Sequence, residues 1–183
     1  MISQNVGSNF DTNLFSAAMK ILPEFVNIKT RRIMADHSRA IAFLVSDGIK
    51  PSNKDQGYIL RKLMRRVIVY LRLSDLDLSL TDKIFASVIN NYSEFYPELD
   101  LKLTTSEFSA ENDKFTKTLA GGLRELNRIE IIDAAAAFKL YESYGLPFEI
   151  IKEIGGEKTV ALTREDFDAE FKKHQEKSRA GSE

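Results

Sequence analysis

The stretch Asn53-Lys-Asp-Gln-Gly-Tyr-Ile-Leu-Arg-Lys-Leu-Met-Arg-Arg-Val-Ile-Val-Tyr-Leu-Arg72 decides how this chain reads. On a helical wheel at about 100° per residue, Leu60, Leu63, Met64, Val67 and Leu71 share an arc of roughly 100°. That is a stripe made to face a core. Lys54, Arg61, Arg65 and Arg72 fall within roughly 40° of one another on nearly the opposite side. Tyr58, Lys62 and Arg66 lie beside them. Arginine stays charged and offers a planar fork of donors that fits phosphate oxygens. Several such groups along one edge form a surface able to track a nucleic-acid backbone. Carboxylates one turn away would mark an ordinary salt-bridged face, and within the stretch only Asp55, at its start, is available.

Charge along the chain points the same way. The 183 residues carry a formal net charge of −1, which hides an asymmetry. Residues 29–72 hold eleven Lys or Arg against three acids, +8 in 44 residues, and the remainder holds fifteen bases against twenty-four acids, −9. Such a split suggests a polyanion-binding face, with a solvated charge cluster as the plain alternative. The acidic C-terminal half leaves a second reading open, a helical protein-interaction module.

The rest reads as an all-α, multi-helix bundle with at most a minor β element near 159–162. Asp11 to about Leu22 predicts a short helix stopped near Pro23. Thr30 is read as the N-cap of a second helix that stops at Gly48. Ser52 with Asp55 suggests a capping box for the basic helix. Thr81 and Ser106 are read as caps of the fourth and fifth helices. The Gly121-Gly122 pair weakens the fifth and predicts a kink. Asp133 caps an alanine-rich helix ending at Gly145, residues 147–154 form a short one, and Thr163 with Asp166 caps the last, whose tail from Lys172 is expected to fray. A change of character near 97–106 suggests two helical parts, 1–100 and 101–183.

Several chemistries lack their parts. There are no cysteines and two histidines, His37 and His174. Thiolate metal sites are excluded, and a His-based metal site or a catalytic triad has almost nothing to be built from. His37, in register with Ile33 and Ile41, reads as a hydrogen-bonded, partly buried residue. His174 sits on a polar tail and carries no signal. Asn53 or Ser52 reads first as a helix cap, and Glu142, between Tyr141 and Tyr144, as an exposed carboxylate. No apolar run is long enough to span a membrane, and Met1–Ser8 lacks the pattern of a secretory signal.

Five blocks together resemble one family. They are Ser8-Asn-Phe-Asp-Thr-Asn-Leu-Phe15, Ala35-Asp-His-Ser-Arg-Ala-Ile-Ala-Phe-Leu-Val-Ser-Asp-Gly48, Pro51-Ser-Asn53 with Gly57-Tyr-Ile-Leu-Arg-Lys-Leu-Met-Arg-Arg66, Ala137-Phe-Lys-Leu-Tyr-Glu-Ser-Tyr-Gly-Leu-Pro147, and Phe167 through Arg179. In this order and spacing they resemble the part of alanyl-tRNA synthetases that follows the class II catalytic motifs. The resemblance implies a helical tRNA-recognition domain docking the acceptor stem of tRNA-Ala, whose identity lies in a G·U wobble pair. It implies that this part has no catalytic centre, metal or cofactor of its own. ATP and zinc are expected only in catalytic and editing domains outside this chain. The rest of the synthetase chain is an implied partner, and the cytoplasm the implied location.

The family's wobble-pair residues map onto Asn53 and Glu142, and the basic face itself, Lys54, Arg61, Lys62, Arg65, Arg66 and Arg72, is read as holding the phosphates. A G·U pair leaves the guanine amino group unpaired in the minor groove, a donor seeking an acceptor. The RNA minor groove is wide and shallow enough for helix-borne side chains to reach it. Glu142 departs from the family's usual Asp by one methylene. Lys62 stands where arginine is common, keeping the charge and losing the bidentate fork.

Overall fold

The computed structural model describes residues 5–180, with side chains through Glu176. The described residues form eight α-helices, two short 3-10 turns and no strand. The helices are α1 (Ser16–Ile21), α2 (Ile28–Ser46), α3 (Asp55–Leu73), α4 (Ser79–Tyr92), α5 (Leu101–Arg128), α6 (Ala134–Tyr144), α7 (Phe148–Gly155) and α8 (Arg164–Ala180). The chain divides into two compact units, residues 1–113 and residues 114–183. The division falls inside α5. The sequence break at 100/101 falls where that helix begins.

In the first unit α2 lies against α3 and α4, and α1 against α2 and α4. The α3 stripe is inside: Leu60, Met64, Val67 and Leu71 are buried, and Leu63 is half-buried. They meet a core that includes Met34, Ile41 and Val45 of α2 and Ile84, Phe85 and Val88 of α4. Phe85 also packs edge-on to Phe108 of α5, with ring centres 5.3 Å apart. Past Val67 the helix sinks further, since Ile68, Val69 and Tyr70 are buried too.

The first helix begins at Ser16 rather than Asp11, and four expected helix caps differ from the sequence reading. A cap must be the residue just outside the helix, its side-chain oxygen reaching the first free N–H groups. Asn27, not Thr30, accepts from the Lys29 N–H at 2.8 Å. Asp77, two residues ahead of α4, accepts from the Ser79 N–H at 2.8 Å, whereas Thr81 lies inside the helix. Asp100, not Ser106, accepts from the Leu103 N–H at 2.9 Å. Thr81 is fully buried, and its hydroxyl donates to the Leu78 carbonyl instead. The expected Ser52–Asp55 box does not close. Ser52 Oγ bonds locally to Lys54, and Asp55 enters the helix at a φ of 48°. Asp133 and the Thr163–Asp166 pair cap α6 and α8 as read.

In the second unit Phe115, Leu119 and Leu126 of α5, Phe138 and Leu140 of α6, Ile150 and Ile151 of α7 and Phe167 of α8 are buried. The expected β element at 159–162 is absent. Thr159 closes a 3-10 turn (Gly156–Thr159), and Val160 has helical torsions, φ −53° and ψ −47°. The Thr159 hydroxyl donates to the Gly156 carbonyl at 2.8 Å, and Lys152 Nζ donates to the carbonyls of Thr159 and Leu162, each at 2.8 Å. These carbonyls face a cation rather than a neighbouring strand. The tail expected to fray stays helical through Ala180; residues 1–4 and 181–183 lie outside the described part.

The glycine pair does not break α5, which runs unbroken to Arg128. It makes room. A Cβ on Gly122 would stand 2.7 Å from Tyr144 Cβ, whereas one on Gly121 would meet only the Tyr144 ring edge at 3.3 Å. The end of α6 lies against this spot, and the Thr118 hydroxyl donates to the Tyr144 carbonyl at 2.9 Å. Gly122→Ala is therefore expected to destabilise by about 1–3 kcal/mol through overpacking. Gly121→Ala is expected to stay within about 1 kcal/mol of the parent, because the gain in helix propensity offsets the tighter contact. Urea unfolding of both variants checks the order.

Candidate nucleic-acid interface

The site is built on the turn that enters α3. Pro51 holds the preceding residue extended, and the Ser52 N–H donates to the Gly57 carbonyl at 3.0 Å, folding the turn back onto the first helical turn. Only a glycine permits that approach. A Cβ at position 57 would lie 2.2 Å from Ser52 Oγ and 2.5 Å from the Lys50 carbonyl oxygen. The outcome is Asn53 at the exposed tip of the turn, directly ahead of the basic helix.

Arg61, two turns along α3, secures that tip. Its Nη1 donates to Asn53 Oδ1, and its Nη2 donates to the Pro51 carbonyl at 3.4 Å. A guanidinium has only donors. The Asn53 oxygen must therefore face Arg61, and its NH2 group turns the other way.

Beneath the arginines lies Glu111 of α5, 2% exposed. Arg65 Nε donates to Glu111 Oε1 at 2.7 Å. The buried Nε of Arg61 lies 3.7 Å from the same oxygen, beyond a hydrogen bond yet within strong Coulomb range. The sequence reading found only Asp55 near the basic face; the fold brings a second, buried acid. Arg65 and Arg61 keep 17% and 23% of their side chains exposed.

The other cations differ among themselves. Arg66 turns inward, donating to Nε2 of buried His37 at 2.9 Å and reaching the Tyr70 hydroxyl at 3.5 Å. That bond leaves the ring proton on His37 Nδ1, 3.5 Å from Asp36 Oδ2. Lys62 is half-buried, and Lys54 and Arg72 are exposed. The basic strip is thus graded, from open cations at its two ends to arginines anchored in the fold at its centre.

Glu142 lies in the second unit, on α6, with 58% of its side chain exposed. His174 of α8 approaches it, Nδ1 to Oε1 at 3.7 Å, while its ring stacks on Phe138 with centres 4.2 Å apart. Sequence reasoning passed over His174 because its own segment is polar. The signal was the F-x3-F spacing of Phe167 and Phe171, which sets this face of α8 against α6. Glu111 was missed because nothing local distinguishes it from the other acids of the C-terminal half. Among the described residues, no group of three His, Asp or Glu side chains is placed to hold a metal ion, and no helix is long and apolar enough to cross a membrane.

The chain belongs to the family of class II (A) tRNA synthetases, whose pattern matches residues 1–183. Among its relatives, the alanine–tRNA ligase of Thermotoga maritima is 35% identical over 192 residues, covering 97% of this chain and 22% of the ligase. That of Endomicrobium trichonymphae is 38% identical over 188 residues, covering 93% and 21%. That of Carboxydothermus hydrogenoformans is 33% identical over 202 residues, covering 100% and 23%. The chain thus spans about a fifth of the length of these relatives.

The His37 side of the strip has a consequence for acid stability. The Asp36 carboxyl is held below its ordinary value of 3.8, first by the approach of the His37 ring, against the opposing effect of partial burial, and then by the nearby Arg39 guanidinium. A depressed folded value stabilises above the unfolded value and is lost as pH falls through the folded one. Asp36→Asn is expected to show a smaller loss of stability below about pH 4 than the parent. Denaturant titrations in steps from neutral pH downward check this, and equal losses in both proteins count against it.

Proposed function

We propose that this chain is the tRNA-recognition part of an alanine–tRNA ligase. In this reading α3 docks the acceptor stem of tRNA-Ala, and Asn53 reads the G·U wobble pair from the minor groove, with Glu142 as a second acceptor. The observation that carries the reading is Asn53 itself, an exposed amide held at the head of a basic helix. Arg61 takes one lone pair of its oxygen. The second lone pair can accept the unpaired guanine amino group, while the NH2 can donate to a pyrimidine oxygen or a ribose hydroxyl. Lys54 and Arg72, exposed at the ends of the strip, reach phosphates first and set the register. Arg61, Lys62, Arg65 and Arg66 supply the field behind them.

The alanine–tRNA ligase relatives support the reading, as does the order of the five sequence blocks. In the whole enzyme this part supports ATP-dependent aminoacylation of tRNA-Ala carried out by a catalytic domain elsewhere in the protein. ATP and zinc belong to the catalytic and editing domains, and the enzyme works in the cytoplasm.

The test is a titration of the chain with acceptor-stem hairpins carrying G·U or G·C at the wobble position. Binding should fall steeply with salt. Asn53→Ala is expected to remove most of the preference for G·U. Arg72→Ala is expected to weaken both hairpins alike and to lower the salt slope by about one. No binding at low salt, or a preference untouched by Asn53→Ala, contradicts the proposal.

A further inference from the structure

We infer that Glu111 and Arg61 form a positioning relay that sets the Asn53 amide for recognition, an inference that rests on the reading of Asn53 just proposed. Arg61 uses every edge of its guanidinium. Nε faces the buried Glu111 carboxylate at 3.7 Å, Nη1 holds Asn53 Oδ1, and Nη2 holds the Pro51 carbonyl at 3.4 Å. Two hydrogen bonds and one charge contact on different sides orient the planar group, something a lysine's single ammonium cannot reproduce.

Glu111 supplies the fixed point. At 2% exposure it does not reach for solvent, and Arg65 pins it at 2.7 Å. Its second effect is electrostatic. A negative charge beneath Arg61 and Arg65 holds two like charges one helical turn apart on the same side. Without it, Arg61 is free to swing toward an arriving phosphate and release Asn53. The relay therefore separates two tasks that arginines on an RNA-facing helix otherwise confuse. Arg61 is kept for aiming the amide, and the exposed Lys54 and Arg72 are left for backbone charge.

A purely structural ion pair and a positioning relay predict different signs. Glu111→Gln keeps the shape and adds one positive charge to the face. If Glu111 serves only electrostatics, both hairpins bind more tightly and the G·U preference stays. If it serves the relay, the preference for G·U drops about tenfold, the size of one lost specific contact of roughly 1.4 kcal/mol, with G·C binding equal or tighter. Arg61→Lys keeps the charge and loses the fork, so it is expected to lose preference to the same degree. In either variant, adding Asn53→Ala should cost no further preference, because the residues act as one unit.

A second readout does not use RNA. The Asn53 side-chain NH2 resonances are expected to be ordered in the parent chain and motionally averaged in Arg61→Lys and Glu111→Gln, with the backbone amide spectrum of α3 otherwise retained. Unchanged order of the Asn53 NH2 in Arg61→Lys overturns the relay, whether or not Glu111→Gln folds. An amide that loosens while the hairpin preference never depended on Asn53 upholds the relay and overturns the wobble-pair reading instead.

Discussion

A carboxylate buried to the extent of Glu111 costs several kcal/mol of lost hydration unless cations and hydrogen bonds reach it. In this molecule Arg65 and Arg61 of α3 do so, and much of the first unit is arranged around that demand. The arginines sit one turn apart on the side of α3 that reaches Glu111, beside the buried stripe of Leu60, Met64 and Val67. Arg61, on that side, also reaches back to the preceding turn at Asn53 and Pro51. Gly57 then lets the turn lie flat on the first helical turn, and Asn53 ends at its tip. A buried charge, a glycine and an exposed amide thus belong to one chain of physical causes.

This arrangement reconciles two properties that conflict on most helices. A strip of arginines suited to a phosphate backbone repels itself and destabilises the helix that carries it. Salt bridges on the surface would quiet the repulsion and also spoil the strip. Placing the compensating acid underneath, and turning Arg66 in toward His37 and Tyr70, leaves the outer edge positive while its inner edge faces groups that accept from it. In the second unit the logic is one of steric fit. Gly122 admits Tyr144 to the surface of α5, so the end of α6 is held close, and Glu142 is displayed two residues before that contact with His174 beside it.

What could be read from the sequence divides along the range of the interaction. Periodicity located the helices, and the Leu60, Met64, Val67, Leu71 stripe was legible because burial along one helix is a local pattern. Asp133, Gly145 and the Thr163–Asp166 pair were legible for the same reason. Thr30, Thr81 and Ser106 misled as caps because a hydroxyl near a helix start looks alike on either side of it, and only the backbone decides whether Asn27, Asp77 and Asp100 come first. The glycine pair pointed to weakness where the fold needed space, since the partner, Tyr144, lies more than twenty residues away. Glu111 was invisible for that reason too. One acid among many in an acidic half carries no mark of having two arginines above it. The partial neutralisation of Arg61 and Arg65 was therefore not foreseeable, although their membership of one face was.

The proposed recognition turns on where the displayed amide goes when RNA arrives. The most direct measurement is a crystal structure of this chain with an acceptor-stem hairpin containing the G·U pair. It should show the guanine amino group within hydrogen-bond distance of Asn53 Oδ1, Arg61 still bound to that oxygen, and Glu111 still beneath Arg61 and Arg65. A stem seated away from the 50–54 turn, or Arg61 drawn off Asn53 to a phosphate, would contradict it.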